Sequence, residues 1–404
     1  MTDTNLRVAI VHRYFWPQNY PYASMLKDIV ESVATARVDT SVYTSSVGED
    51  KETKLRAEWQ KHNNIKIFST RLTSERQVTV ARKAFNAIWF GFWLIAKLLL
   101  SKHDIVMVAT TPPVIIAFLV TLLSKVKGFR VIYHCQDIHP EALVVNGSIK
   151  FSIITKLLAK LDKITVENAW RVIVLSKDMR RTLINRGIDG QNIRVINNFV
   201  FHTLGTGDEL KNETQIRQDQ SKVRFIFAGS LGRFQNLECL LQGIAKHKNN
   251  PDVSFLFLGD GPLKNKIRLF VEQEKLSNVS LKSQVPIEEA LETMQQSDIG
   301  IVSLSHGVSN VAYPSKSIMY MSVGLPIFAV LNTDSEISKM LVEKSVGICV
   351  EPDSTAIASG IALMVDSVKN NAFSRDKIKI YAESEFSKSV ILEKITNLIM
   401  EKCK

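Results

Sequence analysis

Short apolar runs alternate with longer amphipathic stretches along nearly the whole of this 404-residue chain. That alternation restricts it to an α/β architecture with a mostly parallel sheet. In the first half the runs Arg7–Val11, Thr40–Thr44, Ile65–Ser69, Ile105–Val108, Arg130–His134, Arg171–Leu175 and Ile193–Ile196 read as strands. Several are apolar throughout, as expected for strands covered on both faces. Helical periodicity falls between them, at Ala23–Ala36, Lys83–Lys102, Ile149–Ala169 and Lys177–Arg186.

A polar stretch without apolar period, His202–Lys222, reads as an exposed connection. The second half then repeats the style. Strands are predicted at Arg224–Ala228, Ser254–Leu258, Val279–Leu281, Ile299–Leu304, Pro326–Val330 and Gly347–Val350. Helices are predicted at Leu237–Ala245, Leu263–Glu274, Glu288–Gln295, Ser317–Val323, Glu336–Glu343, Thr355–Lys369 and Ser387–Lys402. The organisation predicted is a Rossmann-like domain over 1–201, a linker over 202–222, a second such domain over 223–385, and a C-terminal helix over 386–404. In such sheets ligands gather at the carboxyl ends of the strands.

Charge separates the halves. Residues 1–200 carry 28 Lys/Arg and 16 Asp/Glu, a net +12, and residues 201–404 carry 23 and 24, a net −1. The first half is therefore expected to meet something anionic. Four well-separated cysteines, with no CxxC pair, argue against a zinc site or a disulfide framework, and the N-terminus lacks the blocks of a secretory signal. A reducing cytoplasm is the expected compartment. Ile105–Ser124 has 20 uncharged residues, the length of a membrane span, but Thr110-Thr111-Pro112-Pro113 divides it. A strand followed by a helix, Val114–Leu123, with prolines at its first turn accounts for the whole pattern.

Several strand ends carry candidate chemistry. Arg224–Ala228 runs into Gly229-Ser230-Leu231-Gly232-Arg233, and Ser254–Leu258 into Gly259-Asp260-Gly261-Pro262 before Lys264. Glycines there suit close approach to a diphosphate, or simply a tight turn. Lys264 at a helix start opposes the helix dipole, which favours its facing an anion. Farther on, a polar loop ends in Pro314-Ser315-Lys316 at a helix start. It is either an anion site or a cap beside a solvated lysine. In the first half, Asp137, His139 and Glu141 form the densest acid/base cluster, just past a strand end. Capping by Asp137 with a solvated Glu141 is the plainer account. His12-Arg13 faces the same edge, and His134, His139 and Asp137 lack the spacing of a metal site.

Taken in order, Phe227-Ala228-Gly229-Ser230-Leu231-Gly232, Leu258-Gly259-Asp260-Gly261-Pro262, Val285-Pro286, Pro314-Ser315-Lys316 and Gly324-Leu325-Pro326-Ile327 resemble the family 4 glycosyltransferases of bacterial surface-polysaccharide synthesis. Asp137-Ile138-His139-Pro140-Glu141 resembles the family's D-x-x-P-E stretch, and Asn197-Asn198 its closing turn of the first domain. The positions of the family's two glutamates hold Val311 and Met319.

The resemblance implies the GT-B fold, two facing Rossmann-like domains with the C-terminal helix crossing back to the first. It implies a retaining transfer from a nucleotide-diphosphate sugar, without a metal or other cofactor, to a lipid-linked or growing polysaccharide, including lipopolysaccharide. By this analogy Gly229, Gly232, Arg233, Gly261, Lys264, Pro286, Ser315 and Lys316 hold the donor, and Asp137, His139 or Glu141 orients the acceptor. Arg82–Lys102 would rest on the anionic inner face of the membrane, making the protein cytoplasmic and peripheral; a core helix is the alternative. Nucleic acid is not an expected partner. A nucleotide-sugar epimerase on the same fold and a non-catalytic membrane-complex partner are the competing functions.

Overall fold

The computed structural model describes residues 6–18, 20–36, 38–63, 65–73, 79–111, 113–145, 152–200 and 222–401. Apart from Lys222, the predicted linker lies outside them. The described residues divide into two compact units. The first comprises residues 6–141, 152–200 and 388–401, and the second 142–145 and 222–387.

The first unit is built on seven parallel strands: β1 (Arg7–Val11), β2 (Asp39–Ser46), β3 (Lys66–Arg71), β4 (Ile105–Ala109), β5 (Arg130–Cys135), β6 (Arg171–Val174) and β7 (Ile193–Val195). Their order is β3-β2-β1-β4-β5-β6-β7. Val8 of β1 lies in register with Thr40 of β2 on one side and Ile105 of β4 on the other. Strand order reverses between β1 and β4, and the segments leaving those strands flank a crevice of the kind where doubly wound sheets bind ligands.

The second unit has six parallel strands: β8 (Val223–Ala228), β9 (Val253–Leu258), β10 (Val279–Lys282), β11 (Ile299–Ser303), β12 (Ile327–Val330) and β13 (Gly347–Val350). The order is β10-β9-β8-β11-β12-β13. Here the reversal falls between β8 and β11, so the segments after Ala228 and Ser303 share the switch point.

Both sheets are Rossmann-like, and the C-terminal helix Lys388–Met400 returns to the first unit. Its Ile391, Ile395, Leu398 and Ile399 are buried with Ile29 and Val33 of helix Pro21–Thr35. Each such side chain contributes about 1.5–3 kcal/mol by leaving water. Polar contacts set its register: Lys388 pairs with Asp28 at 2.7 Å, and the Ser32 and Thr396 hydroxyls lie 2.9 Å apart.

Three helices lie where none is predicted, and a fourth has other bounds. Asp50–Asn63 is too charged to show an apolar stripe, yet it buries Trp59 and the Glu52–Arg56 pair. Glu141–Val145 and Arg375–Phe386 are also helical. The helix after β4 runs Ile115–Lys127, so Pro113 precedes it rather than occupying its first turn. Gly128 closes it in the left-handed conformation, at φ 77°.

Candidate functional site

In the second unit the glycine segment after β8 meets the helix Ser315–Ser322. The helix is fixed by Tyr320, whose ring is wholly buried against Gly300 of β11. The Ala228 amide donates to the Tyr320 hydroxyl at 2.8 Å. Lys316 lies one turn before Tyr320 on the same helical face. Its Nζ sits 4.2 Å above the Phe227 ring centroid, and its stem passes over Gly229. No carboxylate among the described residues is paired with it. Burial lowers its pKa from the usual 10.5 to about 7. A largely sequestered ammonium with no counter-ion, at a strand end beside a helix start, is suited to an anionic ligand.

Other predicted donor residues divide between two roles. Ser315 is exposed at the helix start, and Arg233 is exposed after the glycine segment. The Arg233 carbonyl accepts from the Ser305 hydroxyl at 3.1 Å, and the Phe234 carbonyl from the Ser305 amide at 2.6 Å, which joins the segments after β8 and β11. Gly232 donates its amide to the Gln235 side chain at 3.1 Å. Gly259 and Gly261 are needed for packing between loops: an added Cβ would lie 1.9 Å from the Gly229 carbonyl or 2.5 Å from that of Leu231. Lys264 is engaged by Asp260 and by the Ser283 hydroxyl at 2.7 Å, and Asp260 also accepts from the Gln284 amide. These contacts tie the loop after β9 to the segment that ends at Pro286, the residue preceding helix Ile287–Gln295. A separate cavity of about 430 Å³, lined by Lys222, Lys248 and Ser254 among others, lies by the opposite, amino ends of the strands.

In the first unit, burial raises the Asp137 pKa to about 6, and no partner of its carboxylate appears among the described residues. His139 is buried, its Nδ1 has no hydrogen bond among the described residues, and burial lowers its pKa to about 4. Glu141 is engaged differently. Arg186 binds its carboxylate, reaches Asp162 at 2.6 Å, and donates to the His139 carbonyl at 3.2 Å. Tyr133 of β5 donates to the other Asp162 oxygen at 3.1 Å. That network fixes the 139–141 segment, a role that no short-range pattern in the sequence announces.

A second chain of polar groups runs beneath it. Asn198 Nδ2 donates to Gln136 Oε1 at 3.0 Å, Gln136 Nε2 lies 2.7 Å from His134 Nε2, and His134 Nδ1 lies 2.8 Å from the Tyr22 hydroxyl. Burial lowers the His134 pKa to about 3 and that of neighbouring His12 to about 4, so both rings are neutral. A neutral His134 that accepts from Gln136 must carry its proton on Nδ1 and donate it to Tyr22. Among the described residues, no group of three or more His, Cys, Asp or Glu side chains is placed to hold a metal ion.

Two family descriptions match consecutive parts of the chain. Residues 23–204 match the family described as Glycosyltransferase Family 4, and residues 222–367 match Glycosyl transferases group 1. The chain is a glycosyltransferase. This glycosyltransferase is 27% identical to the probable glycosyltransferase WbjE of Pseudomonas aeruginosa over 68% of each chain. It is 22% identical to the putative colanic acid biosynthesis glycosyl transferase WcaI of Escherichia coli strain K12, over 68% of this chain and 69% of the other. The solved structure of HepE from Anabaena, in complex with UDP, matches with a TM-score of 0.70 at 14% identity, covering 98% of this chain and all of the other. That likeness shows that the glycosyltransferase has the GT-B fold.

Proposed function

We propose that the protein transfers a sugar, with retention at the anomeric carbon, from a nucleotide-diphosphate donor to a lipid-linked or growing saccharide in cell-surface polysaccharide synthesis. The observation that carries this reading is Lys316, which has no carboxylate partner among the described residues and lies over Gly229 at the switch point of the second sheet. As the sugar bond breaks, negative charge grows on the departing diphosphate. Lys316, Arg233 and the helix start at Ser315 would stabilise it without a metal ion. The HepE complex with UDP supports a nucleotide donor. The names of WbjE and WcaI support a place in polysaccharide synthesis. In the first unit, Asp137 and His139 would orient the acceptor hydroxyl while Glu141 keeps their segment in place. The protein would work in the cytoplasm at the inner face of the membrane, where lipid-linked acceptors are reached.

Thermal unfolding against UDP-, GDP-, dTDP- and ADP-sugars, with and without EDTA, tests the donor reading. A ligand at 100 times its Kd adds about 2.7 kcal/mol to stability. Stabilisation by one nucleotide family, unchanged by EDTA and lost in Lys316→Met, is the expected result. Stabilisation that EDTA abolishes overturns the metal-free reading, and no stabilisation by any member of the panel overturns the donor reading.

A further inference from the structure

The amino ends of β8, β9 and β10 border the cavity of about 430 Å³ in the second unit. That volume falls within the range of small-molecule pockets, about 300–1,000 Å³. One side is the turn that follows helix Leu237–Ala245, and another is the segment that leads into β10. The two are tied together. Asn278 Nδ2 donates to the His247 carbonyl at 3.0 Å, and His247 Nε2 lies 2.8 Å from the Ala358 carbonyl of helix Ser354–Lys369. The Phe255 amide of β9 donates to the Asn278 carbonyl at 2.8 Å. The cavity is therefore built by packing and does not wait for a ligand to form. Lys316 lies at the opposite, carboxyl end of these strands. The six residues of β9 span about 20 Å, so the two places are separate sites.

The lining is polar and contains no Asp or Glu. It includes Lys222 and Lys248, and no carboxylate among the described residues is paired with either. Asp252, beside the lining residue Pro251, is paired instead with Lys369 at 2.6 Å. Asn278 Oδ1 is buried and has no hydrogen bond among the described residues. A buried acceptor in that state is costly, and a ligand O–H would satisfy it. Asn249, Ser254 and Ser277 add amide and hydroxyl groups to the same lining. No aromatic ring lines the cavity, so nothing there stacks a nucleobase. Two cations call for an anionic group, and an acceptor without a donor calls for a hydroxyl.

We propose that this cavity is a second ligand site, for an anionic sugar, with the phosphate or carboxylate of the sugar at Lys222 and Lys248 and its hydroxyls at Asn278, Ser254 and Ser277. The site is independent of the donor reading, because it uses none of the residues around Lys316. It gives the second unit two ligand positions, one at each end of the same sheet.

The test is titration of the full chain with glucose 6-phosphate, glucuronate, glucose and inorganic phosphate, followed by calorimetry and by amide shifts in NMR. At least one of the two anionic sugars should bind about tenfold or more tightly than glucose and than phosphate, and salt should weaken it. The tighter of the two identifies the anionic group. The shifts should centre on residues 248–254 and 277–280. Lys222→Gln with Lys248→Gln should reduce binding about tenfold or more without changing the melting temperature, since both side chains are exposed. Lys316→Met should leave this binding unchanged. No binding of either anionic sugar, or indifference to the double lysine variant, would overturn the site. Loss of binding in Lys316→Met would place the ligand at the other end of the sheet and overturn it equally. Phosphate binding as tightly as the sugars would overturn the role given to Asn278 and the serines.

Discussion

A Cβ placed on Gly229 would come 2.9 Å from Cε of Lys316. The glycine after β8 and the lysine at the next helix start thus share one small volume. Gly229 also has φ +119°, a conformation that L side chains rarely adopt. Gly229→Ala should therefore act twice. It should cost about 1–3 kcal/mol of stability from backbone strain. It should also displace Lys316 and weaken nucleotide-diphosphate binding, whereas Gly307→Ala, which meets nothing within 4 Å, should show the strain without the binding loss. Urea unfolding and titration calorimetry on the two variants separate the effects.

Lys316 makes donor binding dependent on pH. Its pKa in the free protein is about 7, against 10.5 for an exposed lysine. Between those values the unfolded chain holds a proton that the folded protein has released, so this group makes the free protein more stable as pH rises through that window. An anionic ligand favours the protonated form, so affinity should be highest below pH 7 and fall as pH rises above it. Calorimetry with a nucleoside diphosphate from pH 6 to 9 should show this slope in wild type and not in Lys316→Met. An identical slope in the variant would remove Lys316 from the site.

Tyr320 holds the helix that carries Lys316. Tyr320→Phe leaves the buried Ala228 amide without its acceptor, at a cost of about 1–3 kcal/mol. Nucleotide affinity should fall as well, although Tyr320 is wholly buried. Unchanged affinity at reduced thermal stability would mean that the helix is held in place without it.

Asp137 and Glu141 should separate cleanly. Asp137→Asn should lower turnover about 100-fold or more while leaving the fold intact. Burial raises the Asp137 pKa from 3.8 to about 6, so the folded protein holds the extra proton in that window and this group loses stability as pH rises through it. The variant should therefore be less destabilised between pH 4 and 6 than wild type. Glu141→Gln should instead lower thermal stability by weakening the Arg186 network. Arg186→Met should lower it by about 3–5 kcal/mol, since it leaves Asp162 buried without its cation. Circular dichroism melts and a radiolabelled-sugar transfer assay distinguish these outcomes.

Apolar runs were enough to place the central strands of both sheets, because a strand buried on two faces must be apolar along its length, whereas the mostly exposed edge strand Lys66–Arg71 follows from the strand–helix alternation. The helix Asp50–Asn63 escaped notice because what it buries is one tryptophan and an ion pair rather than a stripe. Motif order marked the switch-point segments, and Lys316 among them, because glycines and a helix start are local features. What those residues do was decided by packing. Gly259 and Gly261 have the sequence of a phosphate loop and also make close loop-to-loop contacts, and Lys264 is engaged by Asp260. Glu141 is tied to Arg186 across 45 residues of chain, and Ala228 to Tyr320 across 92. The amino-acid sequence by itself determined the architecture, since periodicity and turn chemistry act over a few residues. Only the tertiary structure decided which charges are neutralised by a partner and which are not, because that depends on groups brought together by the sheet order.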